Sequence, residues 1–247
     1  MDTTTTPYPA THAAATAGAG RRDLYAGIHK ALRLAMTRTL ARVGATDPGD
    51  ADDVVATLNA LERLLALCEV HLTDENAFIH PTLEAARPGT AARVAGEHVH
   101  HAEAIADLRD LAAFVANARD ADRAAALARL YGALALFVAD NFAHMHVEET
   151  VHNPVLWAAY TDAELDAIEQ RIVASIPPQV MADALHWFIP ALSAPERAAM
   201  LGGMREVMPP AAFAGVLDIA QRTLAAHDHA KLLRALGLPP VPGLMAA

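Results

Sequence analysis

The sequence predicts an all-α fold, an up-down-up-down four-helix bundle with a C-terminal helical appendage, and three observations lead there. The chain of 247 residues is 53% hydrophobic but only 5% aromatic. Alanine is the commonest residue in that apolar share. Leu, Met, Glu and Arg accompany it, and these side chains lose little freedom in a helix, whereas β-branched and aromatic residues are few. Four long segments separated by short turn signals carry apolar residues at helical spacing.

Each element has its own signals. Residues 1–21, opening MDTTTTPYPATHAAATAGAG, are expected to be a disordered tail; they lack the charged start and continuous apolar stretch of a signal peptide. A first helix is expected from Asp23 to Val43, ended by Gly44 and Asp47-Pro48-Gly49. A second, over 51–86, closes at Arg87-Pro88-Gly89. A third covers 90–118, and a fourth runs over 122–158 and ends after Trp157. Thr161 and Glu164 form a capping-box signal for a helix over 162–175. Ile176-Pro177-Pro178 then breaks the chain, which sets the domain boundaries at 22–175 for the bundle and 176–247 for the appendage. Shorter helices follow over 179–189, 194–207 (capping box Ser193 and Glu196), 210–225 and 227–236.

Charge and cysteine content exclude several functions. Nineteen Lys and Arg against 29 Asp and Glu give a net charge of −10. Nucleic-acid binding needs clustered basic residues and is not expected. One cysteine, Cys68, makes no internal disulfide and no thiolate zinc module. No segment offers about 20 uncharged apolar residues, so no membrane span is expected and a cytoplasmic location follows.

Thirteen histidines are the unusual quantity, since ordinary usage of ~2% would give about five. Their arrangement repeats. His71, Glu75, Pro81 and Leu83 in the second helix recur as His144, Glu148, Pro154 and Leu156 in the fourth. At i and i+4, each His and Glu share one face. That face is apolar: Leu64, Cys68, His71, Glu75 and Phe78 in the second helix, and Leu134, Phe137, Asn141, His144, Glu148, Val151 and Val155 in the fourth. Val94, His98, His101, Ile105, Leu108, Ala112 and Val115 make the row of the third helix, and Tyr25, His29, Leu32 and Met36 that of the first. Carboxylates in such rows are costly unless paired or coordinated. Imidazole and carboxylate donors without thiolate suit iron, manganese or zinc, and carboxylates bridge two ions. Ferritin-like bundles use Glu-x-x-His; the order here is His-x-x-x-Glu, which points to another four-helix class.

A His in the first helix, His-x-x-x-Glu in the second, Glu-His in the third and His-x-x-x-Glu in the fourth resemble the hemerythrin-like (HHE cation-binding) domain over residues 22–175. The resemblance implies two non-haem irons bridged by two carboxylates and an oxo or hydroxo group. It gives His29, His71, His98 and His144 as terminal ligands and Glu75 and Glu148 as bridges. Oxygen carriers of that family place a further His where this chain has Val94; His101, on the same face, is the candidate substitute. Two six-coordinate irons present about twelve positions, of which these groups fill about ten, or about eleven with His101. Dioxygen, peroxide or nitric oxide is the expected ligand at an open iron. Hydrophobic walls are expected from Leu32, Phe78, Ile105 and Val151.

With His101 bound, reversible oxygen binding gains weight. Without it, redox chemistry such as peroxide turnover does, which would make the protein an enzyme. A helical bundle stapled by zinc or another divalent ion, with the C-terminal helices as an interaction module, is the alternative, and a metal-free helical protein is a third. His80, His100, His146 and His152 fall off the inward rows and read as surface residues or supports of the ligands. Glu97 reads as solvated, with a reserve role as a ligand. Cys68 and the stripe Met200, Met204 and Met208 read as packing residues. The appendage is expected to cover one side of the bundle or to form a homodimer contact.

Overall fold

The structure is a computed structural model and describes residues 20–239. The expected N-terminal tail lies outside them except for Gly20 and Arg21. Among the described residues every regular element is helical. Contacts divide the described residues into two compact units: one holds residues 20–26 together with Thr39–Ser175, the other Gly27–Arg38 together with residues 176–239.

Helix α1, Ala26–Ala45, contributes to both. The Asp23 carboxylate accepts from the N–H groups of Tyr25 and Ala26 and satisfies its first turn. Gly44 was expected to end this helix, but α1 runs through it. A Cβ there would approach Tyr131 Cε2 to 2.9 Å, so the glycine serves a close approach between segments instead of a stop.

In the first unit, α2 (Ala51–Asp74) starts at Asp50, whose carboxylate accepts from the N–H groups of Asp52 and Asp53. It continues through a π turn, Glu75–Ile79, into α3 (His80–Ala86). Gly89 takes φ +83° in the following loop, which the Glu84 carboxylate fastens by accepting from the N–H groups of Gly89 and Ala91. Helix α4 is Ala92–Asn117. Helix α5 (Asp120–Val147) passes through a second π turn, Glu148–His152, into α6 (Asn153–Ala159), and α7 is Asp162–Ser175. Helix α4 packs on α2 and α5, α3 on α6, and α7 on the first π turn. The run Asp120–Ala159 is long and apolar enough to cross a membrane by length and composition, with a mean hydropathy of 1.3 over its window. It nevertheless contains Asp140, and its inward row packs in the bundle.

The π turns are absent from the sequence expectation, which ran regular helices through both. In each, the N–H of the following residue, His80 or Asn153, donates to the Glu carbonyl five residues back. The next residue is Pro81 or Pro154, which has no N–H to return. A π turn accommodates an extra residue, so everything beyond it rotates by roughly 100° relative to a continuous α-helix. The inward row therefore slips by one position. Ile79, His152 and Leu156 are at most 2% exposed, whereas Val151, expected as a wall of the site, is 50% exposed and Phe78 is half-buried. The same slip buries His80 and Asn153, which corrects the peripheral reading of His80.

In the second unit, α8 (Pro178–Ala191), α9 (Ala194–Val207), α10 (Pro210–Thr223) and α11 (Ala226–Ala235) surround a core of Leu185, Ile189, Leu201, Phe213, Val216 and Leu232. Met200, Met204 and Met208 pack against that core. Ser193 and Glu196 close the capping box of α9. Lys30 of α1 pairs with Glu196. Arg197 is buried and donates to the carbonyls of Ile189 and Leu192, which the end of α8 leaves without helical partners.

Candidate metal centre

Glu75 and Glu148 are the first residues of the two π turns, and each lies one helical turn after a histidine. His71 Nε2 is 3.5 Å from Glu75 Oε1, and His144 Nε2 is 3.4 Å from Glu148 Oε1. From α4, His98 places Nε2 at 3.3 Å from Glu75 Oε2, 3.9 Å from Glu148 Oε1 and 3.1 Å from His144 Nε2. All five side chains are buried, with Glu148 at 0% and Glu75 at 4% exposure. Donor atoms of Glu75, His98, His144 and Glu148 lie within 4.8 Å of one another; so do those of His71, Glu75 and Glu148. The two carboxylates therefore belong to both groups.

The outer nitrogens of two imidazoles are fixed by partners that the sequence reading missed or misplaced. Asn76 Oδ1 is 2.9 Å from His98 Nδ1. Glu97 Oε2 is 2.9 Å from His144 Nδ1, and Glu97 also accepts from Arg93. Glu97 thus turns toward the site, which corrects its solvated reading. An acceptor at Nδ1 selects the tautomer whose Nε2 lone pair faces inward. Asn76 stands beside a ligand-type residue without any periodic signal. Glu97 was discoverable only as the neighbour of His98.

The electrostatics follow from this geometry. Burial drives His98 down to about 3, with the imidazoles of His144 and His80 adding to the effect, so His98 is neutral at ordinary pH. Burial and the adjacent Glu148 carboxylate hold Glu75 well above its usual range. His144 also loses solvation on burial, but Glu148 and Glu97 outweigh that and raise it. Converging lone pairs and buried carboxylates favour positive charge at the centre of the site. Two imidazole nitrogens bound at ~2.1 Å to one first-row metal ion are roughly 3.0 Å apart at right angles, in keeping with the His98–His144 separation. The donor set fits a metal.

The remaining sequence-derived candidates lie as follows. His29 is wholly buried on α1, within the Gly27–Arg38 stretch of the second unit. The ring of His101 packs edge-on against His144, 4.7 Å between centroids, and against Phe137. Its Nδ1 has no hydrogen-bond partner among the described residues, burial lowers it to about 4, and it falls outside both donor groups. Cys68 is buried with its thiol pushed up to about 12, so it stays protonated and packs as a small core residue. His80 stacks on His98 at 4.7 Å. His152 contacts Tyr25 through Nδ1 at 3.2 Å.

A family model described as the hemerythrin HHE cation binding domain matches residues 22–156. Comparison with curated proteins and with solved structures finds no match.

Proposed function

The chain belongs to the hemerythrin HHE cation-binding domain family, and from that premise we propose that it is a non-haem di-iron protein that binds or senses dioxygen, peroxide or nitric oxide at an open iron position. The carrying observation is the sharing of Glu75 and Glu148 between two donor groups, one with His71 and one with His98 and His144. Bridging carboxylates are how a helical bundle holds two ions. His29, buried on α1, is proposed as a further imidazole ligand from the family's pattern. Iron held in this way, with an oxo or hydroxo bridge, supplies redox chemistry toward small oxygen and nitrogen ligands.

The chain's own groups have separate tasks. Glu75 and Glu148 neutralise cationic charge in a site closed to solvent. Asn76 and Glu97 hold His98 and His144 with Nε2 inward. Val94 and Ile105, both buried on α4, keep the row around the donors apolar. His101 lies outside both donor groups, which favours the more open coordination sphere and, within this reading, peroxide turnover over reversible oxygen carriage.

The test is metal analysis of the purified full chain with an optical spectrum before and after exposure to air. Iron near two per chain, with oxo-iron absorption in the near ultraviolet, supports the proposal. Stoichiometric zinc with less than one iron and no redox response would replace it with the zinc-stapled bundle.

A further inference from the structure

Tyr25 is 1% exposed and sits in an apolar cluster with Ile79, Leu83 and Leu156. A phenylalanine would fill the same space without burying a hydroxyl, which costs free energy unless it is hydrogen-bonded. Its hydroxyl lies 3.2 Å from His152 Nδ1, and the His152 imidazole also hydrogen-bonds the backbone of Thr90, in the loop that Glu84 fastens. An imidazole that gives its one proton to a carbonyl presents its other nitrogen as an acceptor, so the phenol donates to Nδ1. Burial keeps His152 below its ordinary value and neutral. Burial and the charges of Glu75 and Glu148 hold the Tyr25 phenol well above its ordinary value. The phenol therefore does not ionise ahead of an oxidation, and its proton needs a base already in place. His152 Nδ1 is that base, and its ring meets His80 edge-on, 6.5 Å between centroids, which in turn stacks on His98 at 4.7 Å.

We propose that Tyr25 is a one-electron donor to the metal centre during reduction of a peroxide, with His152 Nδ1 receiving its proton. The proposal rests on the di-iron reading above. In the step, one electron passes from the Tyr25 ring to the oxidised centre, the phenolic O–H bond breaks and an N–H bond forms on His152, leaving a neutral phenoxyl radical. Hydrogen peroxide is the oxidant: it takes two electrons and two protons in all and leaves as two waters. Tyr25 furnishes one electron and, passed on by His152, one proton; an added reductant such as ascorbate furnishes the other electron and proton.

Freeze-quench electron paramagnetic resonance of the iron-loaded full chain after hydrogen peroxide addition tests this, with iron content measured on the same samples. The expected result is a tyrosyl signal that is lost in Tyr25→Phe, reduced in His152→Gln, and retained in Tyr160→Phe, whose hydroxyl donates to the Thr82 carbonyl instead. Retention of the signal in Tyr25→Phe, or its absence from wild-type protein carrying its iron, overturns the proposal and leaves the di-iron reading standing. Wild-type protein that takes up no iron overturns both.

Discussion

Glu97 lies one turn before His101 and next to His98, yet one of its carboxylate oxygens hydrogen-bonds His144 on another helix. Partners of this kind, which orient a ligand's second nitrogen, typically change metal affinity by about 10–100-fold when removed. Glu97→Gln should therefore weaken metal binding by about that factor in a chelator competition while far-ultraviolet dichroism stays native. An unchanged affinity would mean that His144 is held by packing alone. Glu75 gives a pH-dependent test. Its folded-state value lies above the ordinary 4.5, so the unfolded chain releases its proton first as pH rises, and the metal-free fold loses stability from about 4.5 up through the raised value, by about 1.4 kcal/mol per unit of elevation. Glu75→Gln removes that ionisation. In chelator, urea unfolding should show the variant gaining on the wild type as pH rises above about 4.5; with metal present the order should reverse. The sequence made these ligand-type residues legible because a charged or imidazole group within an apolar row is conspicuous. It did not reveal Asn76, since a side chain that reaches across to another helix leaves no periodic trace.

The π turns act at the scale of the element. Up to Glu75 and Glu148 the apolar rows predicted from the sequence match the buried residues; beyond them the rows are off by one, from Phe78 to Ile79, from Val151 to His152 and from Val155 to Leu156. Periodicity assumes one helical geometry throughout. The prolines six residues after each Glu were visible, but their effect on the hydrogen-bond ladder was not. The slip fixes an asymmetry in mutational cost. Leu156→Ala should cost about 2–5 kcal/mol, as truncation of a buried leucine does, whereas Val151→Ala should stay within about 0.5 kcal/mol. A continuous α-helix would give the greater cost to Val151. Denaturant unfolding of the two variants in the same buffer decides between these geometries.

At the scale of the whole molecule, the stretch Gly27–Arg38 groups with the helices from Ile176 onward. Lys30 pairs with Glu196, and a Cβ at Gly27 would meet Phe188 at 3.6 Å. Apolar spacing on α1 identified Leu32 and Met36 as buried but carries no information about what buries them. A chain ending at Ser175 would strip these partners from the part of α1 that holds His29. It should show lower helicity in far-ultraviolet dichroism than its length requires; helicity in full proportion to length would show that residues 176–247 do not support α1. Whether Glu75 and Glu148 together hold a dinuclear centre is read from the metal stoichiometry of the full chain beside Glu75→Gln and Glu148→Gln. About two ions are expected per wild-type chain, as in carboxylate-bridged di-iron bundles, and loss of both from either variant, because each carboxylate belongs to both donor groups. Two metal-depleted variants that remain folded would agree with a shared dinuclear centre; retention of the full complement by either one would contradict it.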